Sequence, residues 1–178
     1  MRVFFGIEPD PNTRQGILDW RDRYGLADGR PVPPANFHIT LAFIGDVSTR
    51  QLERLCDTVD ARQSGETFAA GSIELDRVGF WPGPDIYWMG ASQSPPPLGD
   101  LARNLQHIGG PVGARLKRRA FTPHVTLYRN CSSPPPAPVV APDIRLDYQY
   151  LTLFESQPGR KNVRYEPVAQ WPLRHHAR

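Results

Sequence analysis

Phe37-His38-Ile39-Thr40-Leu41 is the stretch from which the fold is read, and Pro123-His124-Val125-Thr126-Leu127 repeats its message. Each sets a His, a β-branched apolar residue, a Thr and a Leu in a row, inside a run of strand-favouring residues. Neighbours along a strand point to opposite faces. His38 and Thr40 therefore share one face while Ile39 and Leu41 turn into a core, and His124 and Thr126 do the same beside Val125 and Leu127. At ordinary residue usage, a given His is followed by x-Thr-Leu on the order of once in two hundred times. Two of the five His residues do so here. A single such His reads as a half-buried strand residue with satisfied nitrogens; the repeat argues for a pair with a task.

Working outward, Val3 to Ile7 reads as a buried opening strand, and Asp10-Pro11 is a helix-start signal. The helix runs towards Gly25 or Gly29, with Ile17, Trp20 and Tyr24 as its apolar stripe. Arg30 to Asn36, rich in Pro, delivers the chain extended into the first motif, whose strand ends at Gly45-Asp46. Ser48 or Thr49 caps a second helix with Leu52, Leu55, Cys56 and Val59 on one side. Strand character returns from Thr67 to Trp81, and Pro82-Gly83-Pro84-Asp85 turns it into the strand Ile86 to Gly90, as a hairpin. A third helix carries Leu98, Leu101, Leu105 and Ile108 and stops at Gly109-Gly110-Pro111, with His107 off its stripe and given no role. Ser132 to Pro142 is a Pro-rich extended loop, and strand-like runs from Tyr148 to Phe154 and Val163 to Val168 close the chain around a Pro158-Gly159 turn. Strands come in pairs with helices interspersed, so the expected class is α+β with antiparallel pairing.

The 178 residues fit a single domain, with residues 174–178 expected as a flexible tail. A formal net charge of +3 permits an anionic ligand without demanding nucleic acid. Arg115, Lys117, Arg118 and Arg119, just before the second motif, form either a solvated loop or an anion-facing rim. No apolar run has the length of a membrane span, the N-terminus does not read as a signal peptide, and both cysteines, Cys56 and Cys131, are expected to be reduced. The expected address is the cytoplasm and the expected state a monomer. No phosphate-cradling glycine motif follows a strand, and the two His lack a third convergent ligand at a recognisable spacing, so neither nucleotide cofactor nor metal is expected.

Two imidazoles brought together can run acid and base catalysis near neutral pH, one protonated and one not. Phosphodiester hydrolysis needs one proton given and one taken. Thr40 and Thr126 can donate hydrogen bonds to the non-bridging oxygens, and Arg129 is the nearest candidate cation in sequence.

The paired motifs resemble the two H-x-T-x signatures of the two-histidine phosphoesterases, and the chain nearly end to end resembles the RNA 2',3'-cyclic phosphodiesterases, also called 2'-5' RNA ligases. The likeness is carried by Arg2 to Ile7, Asn36 to Gly45, Val78 to Pro82, Phe121 to Arg129 and Tyr165 to Leu173. The resemblance implies a bilobal fold of two antiparallel sheets around a central cleft, helices packed outside, with no cofactor. It implies hydrolysis of a terminal 2',3'-cyclic phosphate on RNA or a nucleotide to a 2'-phosphate, with reversible 2'-5' ligation as a secondary activity. Carried over, His38 is the proton donor, His124 the proton acceptor, and Thr40 and Thr126 hold the phosphate. Phe37 stands where many relatives have Trp, a departure expected to change packing or base contact more than chemistry, and it is a candidate substrate contact. A non-catalytic module that binds RNA ends, a phosphodiesterase acting on a small cyclic phosphate, and a metal-dependent phosphohydrolase are the alternatives.

Overall fold

A computed structural model describes residues 1–64, 68–114, 120–160 and 162–175. In chain order it contains β1 (Arg2–Ile7), α1 (Pro11–Tyr24), β2 (Arg30–Pro31), a 3-10 turn at Pro34–Asn36, β3 (Ile39–Asp46), α2 (Thr49–Ser64), β4 (Gly71–Leu75), β5 (Arg77–Trp81), β6 (Ile86–Gly90), α3 (Pro96–Gly109), a 3-10 turn at Gly110–Val112, β7 (His124–Arg129), β8 (Ile144–Tyr148), β9 (Tyr150–Gln157) and β10 (Arg164–Pro172). The basic run at 115–119 lies outside the described residues.

The starts of α1 and α2 follow their caps. Asp10 Oδ1 accepts from Thr13 N at 2.8 Å ahead of Pro11, so one backbone N–H that α1 leaves unpaired finds a carboxylate. Ser48 Oγ accepts from Gln51 N while Gln51 Oε1 accepts from Ser48 N, a reciprocal box that starts α2.

The main sheet runs β10-β9-β1-β3-β7-β6-β5, with β2 added along β7. Among the described residues its pairings are antiparallel. Its centre is narrow: β3 and β7 share the single pair Ile39 and Val125. The two expected sheets are thus two halves of one path, the first carrying His38 and the second His124. A separate two-stranded sheet pairs β4 with β8. The strand run expected from Thr67 to Trp81 is, among the described residues, two strands in different sheets, broken at Asp76, whose N–H bonds Gly90 O and whose carboxylate takes Ser92 N.

One face of the main sheet is the core. Ile39, Leu41, Val125 and Leu127 are buried, as strand alternation required, with α3 packed on β3. Full burial of each such side chain contributes about 1.5–3 kcal/mol. The closing chain differs from expectation at its end. Arg174, expected to open a flexible tail, pairs with Ala69 as a parallel bridge, and its N–H and C=O bond Phe68 and Ala70. Backbone pairing outweighs the chain-end position there. No helix of the described residues is long and apolar enough to cross a membrane.

Candidate phosphoryl-transfer site

The pair Ile39 and Val125 sets the geometry of the site. Continuing an antiparallel register from it puts His38 across from Thr126 and Thr40 across from His124, a local two-fold arrangement on the face opposite the core. All four side chains are half-buried there. The charges of His124 and Arg129 reach His38, so five sequence-predicted residues are gathered at the joint.

Both imidazoles are held in the same way. His38 Nδ1 lies 2.7 Å from Asn36 O, and His124 Nδ1 lies 2.7 Å from Thr122 O. A carbonyl oxygen only accepts, so Nδ1–H is the donor in both rings. In each neutral ring, Nε2 is then the nitrogen left for chemistry. His38 Nε2 lies 2.9 Å from Thr40 Oγ1, whose hydroxyl donates to it. The Asn36 side chain also donates through Nδ2 to Val163 O at 2.7 Å, tying the approach to His38 to the chain entering β10.

Rings wall each histidine. Phe4 and Tyr165 lie 5.0 and 4.9 Å from the His38 centroid, Tyr165 edge-on, with Phe154 at 6.1 Å. Trp81 and Trp88 lie 4.5 and 6.3 Å from His124. The His38 ring is pushed down to about 4, first by burial; its bond to Asn36 O works upward, and the His124 and Arg129 charges push down further. Without an anion, His38 is neutral at pH 7.

A device absent from strand alternation brings in Arg129. Strict alternation puts a residue five after His124 on the core side. In the pairing with β6, however, Thr126 meets Trp88 and Tyr128 meets Tyr87, so Leu127 is the extra residue of a β-bulge. The bulge reverses the phase: Tyr128 turns into the core and Arg129 turns out beside Thr126. The first motif repeats it. Thr40 meets Gly6 and Ala42 meets Phe5, which makes Leu41 the extra residue and turns Phe43 outward, 52% exposed and 6.0 Å from Phe4. Phe43 thus occupies in the first half the place that Arg129 holds in the second. Sequence reasoning passed over it; the signal was its position five after His38, matching Arg129.

Phe37 needs a correction. It is 1% exposed, inside the core with the Arg21 guanidinium over its ring, so it offers no face to a base. It occupies the strand phase of Ile39, and alternation sends both inward once the 3-10 turn has delivered the chain. His107 stays apart, exposed, with Nδ1 on Arg103 O. Among the described residues, no group of three or more His, Cys, Asp or Glu could hold a metal ion.

A family profile described as LigT like Phosphoesterase matches residues 7–88. The RNA 2',3'-cyclic phosphodiesterase of Escherichia coli is 34% identical over 178 residues, covering 97% of this chain and 96% of that one. A crystal structure of Escherichia coli LigT complexed with 3'-AMP superposes with a TM-score of 0.83 at 32% identity, covering 97% of each chain. A solved protein of Thermus thermophilus shares the fold at a TM-score of 0.81 and 20% identity, covering 99% of this chain and all of that one.

Proposed function

The chain belongs to the LigT-like phosphoesterases and is an RNA 2',3'-cyclic phosphodiesterase, and from that premise we propose how its residues divide the reaction. His124 takes a proton from water at Nε2 as the water oxygen attacks phosphorus. The bond from phosphorus to the 3'-oxygen breaks, and His38 gives that oxygen the proton on its Nε2. A 2'-phosphate remains, and the two rings return to their starting states by exchange with solvent. Thr40, Thr126 and Arg129 meet the non-bridging oxygens, whose charge they favour through hydrogen bonds and a cation.

The observation that carries this reading is the shared hold on the two imidazoles. With each Nδ1–H spent on a carbonyl two residues upstream, each ring keeps Nε2 for proton transfer, on strands that meet at the Ile39 and Val125 pair. The depressed His38 fits a donor that is charged by its substrate. A phosphodiester anion beside the ring favours the imidazolium, so His38 takes up its proton as the substrate binds. The two cysteines are unpaired, which fits a reducing compartment, and we place the enzyme in the cytoplasm.

The test is a short RNA ending in a 2',3'-cyclic phosphate, incubated in excess EDTA with wild type, His38→Ala and His124→Ala. The expected result is a 2'-phosphate from wild type and none from either variant. Chelator-sensitive turnover would overturn the two-histidine mechanism. RNA retained without turnover would identify an end-binding module instead.

A further inference from the structure

The two halves of the main sheet share one residue pair, yet the chemistry needs His38 on one side held at a set distance from Arg129 on the other. A buried cation lies under that joint. Arg21, on α1, is 6% exposed, and its guanidinium carbon lies 5.4 Å from the Phe37 ring centroid and 5.5 Å from that of Tyr128. Phe37 directly precedes His38, and Tyr128 directly precedes Arg129. Arg21 Nη1 also donates to Val32 O at 2.6 Å, while Val32 N donates to Leu127 O at 2.9 Å. Its Nε donates to Asp22 Oδ1 at 3.0 Å, on a carboxylate that is largely in water. One planar group therefore touches a ring from each half and the strap, residues 30–32, that crosses onto β7.

We infer that Arg21 is a positioning residue that sets the spacing of the two halves and so places His38 against Arg129 and His124. It acts only through Phe37, Tyr128 and Val32, all of them buried, and it does not touch substrate. A guanidinium suits this place because it stacks on aromatic faces and keeps its in-plane N–H groups for carbonyl and carboxylate. A lysine ammonium is a point charge on a flexible stem, and it cannot lie flat against a ring and bond in its own plane at once. The phase reversal at Leu127 is what turns Tyr128 inward to meet Arg21 and Arg129 outward to meet the phosphate, so one bulge serves both ends of the arrangement.

The inference rests on the reading of His38 and His124 given above, and its test reads both turnover and the His38 ring. Wild type, Arg21→Lys, Arg21→Met and Phe37→Leu are compared at a temperature well below the unfolding midpoint of each. The first readout is kcat and KM on an RNA ending in a 2',3'-cyclic phosphate. The second is the titration of the His38 imidazole by NMR without substrate. The groups facing that ring are His124, Arg129 and Tyr165, and a wider joint takes the first two further away. The expected result for Arg21→Met is kcat down tenfold or more with KM changed less than threefold, and the His38 titration moved upward. Arg21→Lys recovers only part of kcat, and Phe37→Leu moves both readouts in the same direction as Arg21→Met by a smaller amount. Should Arg21→Met not fold, Phe37→Leu and Arg21→Lys carry the test by the same two readouts. A lower unfolding midpoint with kcat and the His38 titration unchanged would make Arg21 a stabilising residue alone and overturn the inference. If wild type itself fails to turn over the RNA while the His38 titration still moves in the variants, the functional reading falls and the positioning role stands.

Discussion

The half that carries His38 and the half that carries His124 are built by the same local rules and end in different surroundings. Each has a His whose Nδ1 is held by the carbonyl two residues before it. Each has a Thr two residues on, a Leu extra to the strand pairing, and a glycine facing the motif on the neighbouring strand, Gly6 opposite Thr40 and Gly90 opposite His124. The fifth residue after the His differs: Phe43 in the first half, Arg129 in the second. The shared parts fix two imidazoles through the same Nδ1 contact, so that Nε2 is the nitrogen each ring keeps for proton transfer. The unshared parts make the site one-directional, an exposed aromatic on the side of His38 and a cation on the side of His124.

The largest effect that can break this comparison is loss of either ring. His38→Asn and His124→Asn are each expected to lower kcat by roughly 10²–10⁴, the span of general acid or base catalysis. A variant of one half that kept near wild-type turnover would show that only one imidazole works.

Next come the two outward residues. Arg129→Met is expected to lower kcat/KM on the order of 10²-fold, as loss of a donor to transition-state charge does. Phe43→Leu should leave kcat within about threefold, because burial or stacking against a ligand acts mainly on binding. Equal losses in steady-state kinetics would remove the asymmetry.

Two glycines sharpen the comparison through stability. A Cβ on Gly79 would come within 2.2 Å of the Trp88 ring, itself packed near His124, whereas one on Gly6 would meet Ile39 O at 3.0 Å and Phe154 at 3.3 Å. Gly79→Ala is expected to cost about 3 kcal/mol and Gly6→Ala about 1 kcal/mol, the range for overpacked sites. Denaturant unfolding of the two variants checks the order.

The smallest effect is a shift in titration. The folded His38 titrates at about 4, below its usual 6.5. The unfolded chain therefore binds this proton first, and stability from His38 is present above about pH 6.5 and is lost as pH falls towards 4. Saturating phosphate should raise the His38 titration, since an anion favours the charged ring. NMR of the imidazole reads it directly, and no upward movement would place the anion away from His38.

Much of the site was legible because alternation is local. The burial of Ile39, Leu41, Val125 and Leu127 follows from their phase against His38, Thr40, His124 and Thr126, and the capping of α1 by Asp10 and of α2 by Ser48 follows from residues three apart. Phe37 as a substrate contact came from the resemblance, where many relatives have Trp, although its own phase already pointed inward. The short strand β2 left no sequence signal of its own, since Arg30-Pro31 is a strand only because β7 lies beside it, whereas Ile144 to Tyr148 alternates apolar and polar residues, a strand signal the sequence reading passed over.

By itself the sequence determined that two His-x-Thr-Leu strands would each present an imidazole and a hydroxyl on one face, since that depends only on the two-residue period of a strand. The tertiary structure alone decided that the strands meet at Ile39 and Val125, that a bulge after each Thr turns Phe43 and Arg129 outward, and that Arg21 lies under the joint. These depend on which distant backbone groups pair, and pairing across most of the chain is set by the packing of the whole rather than by any local run.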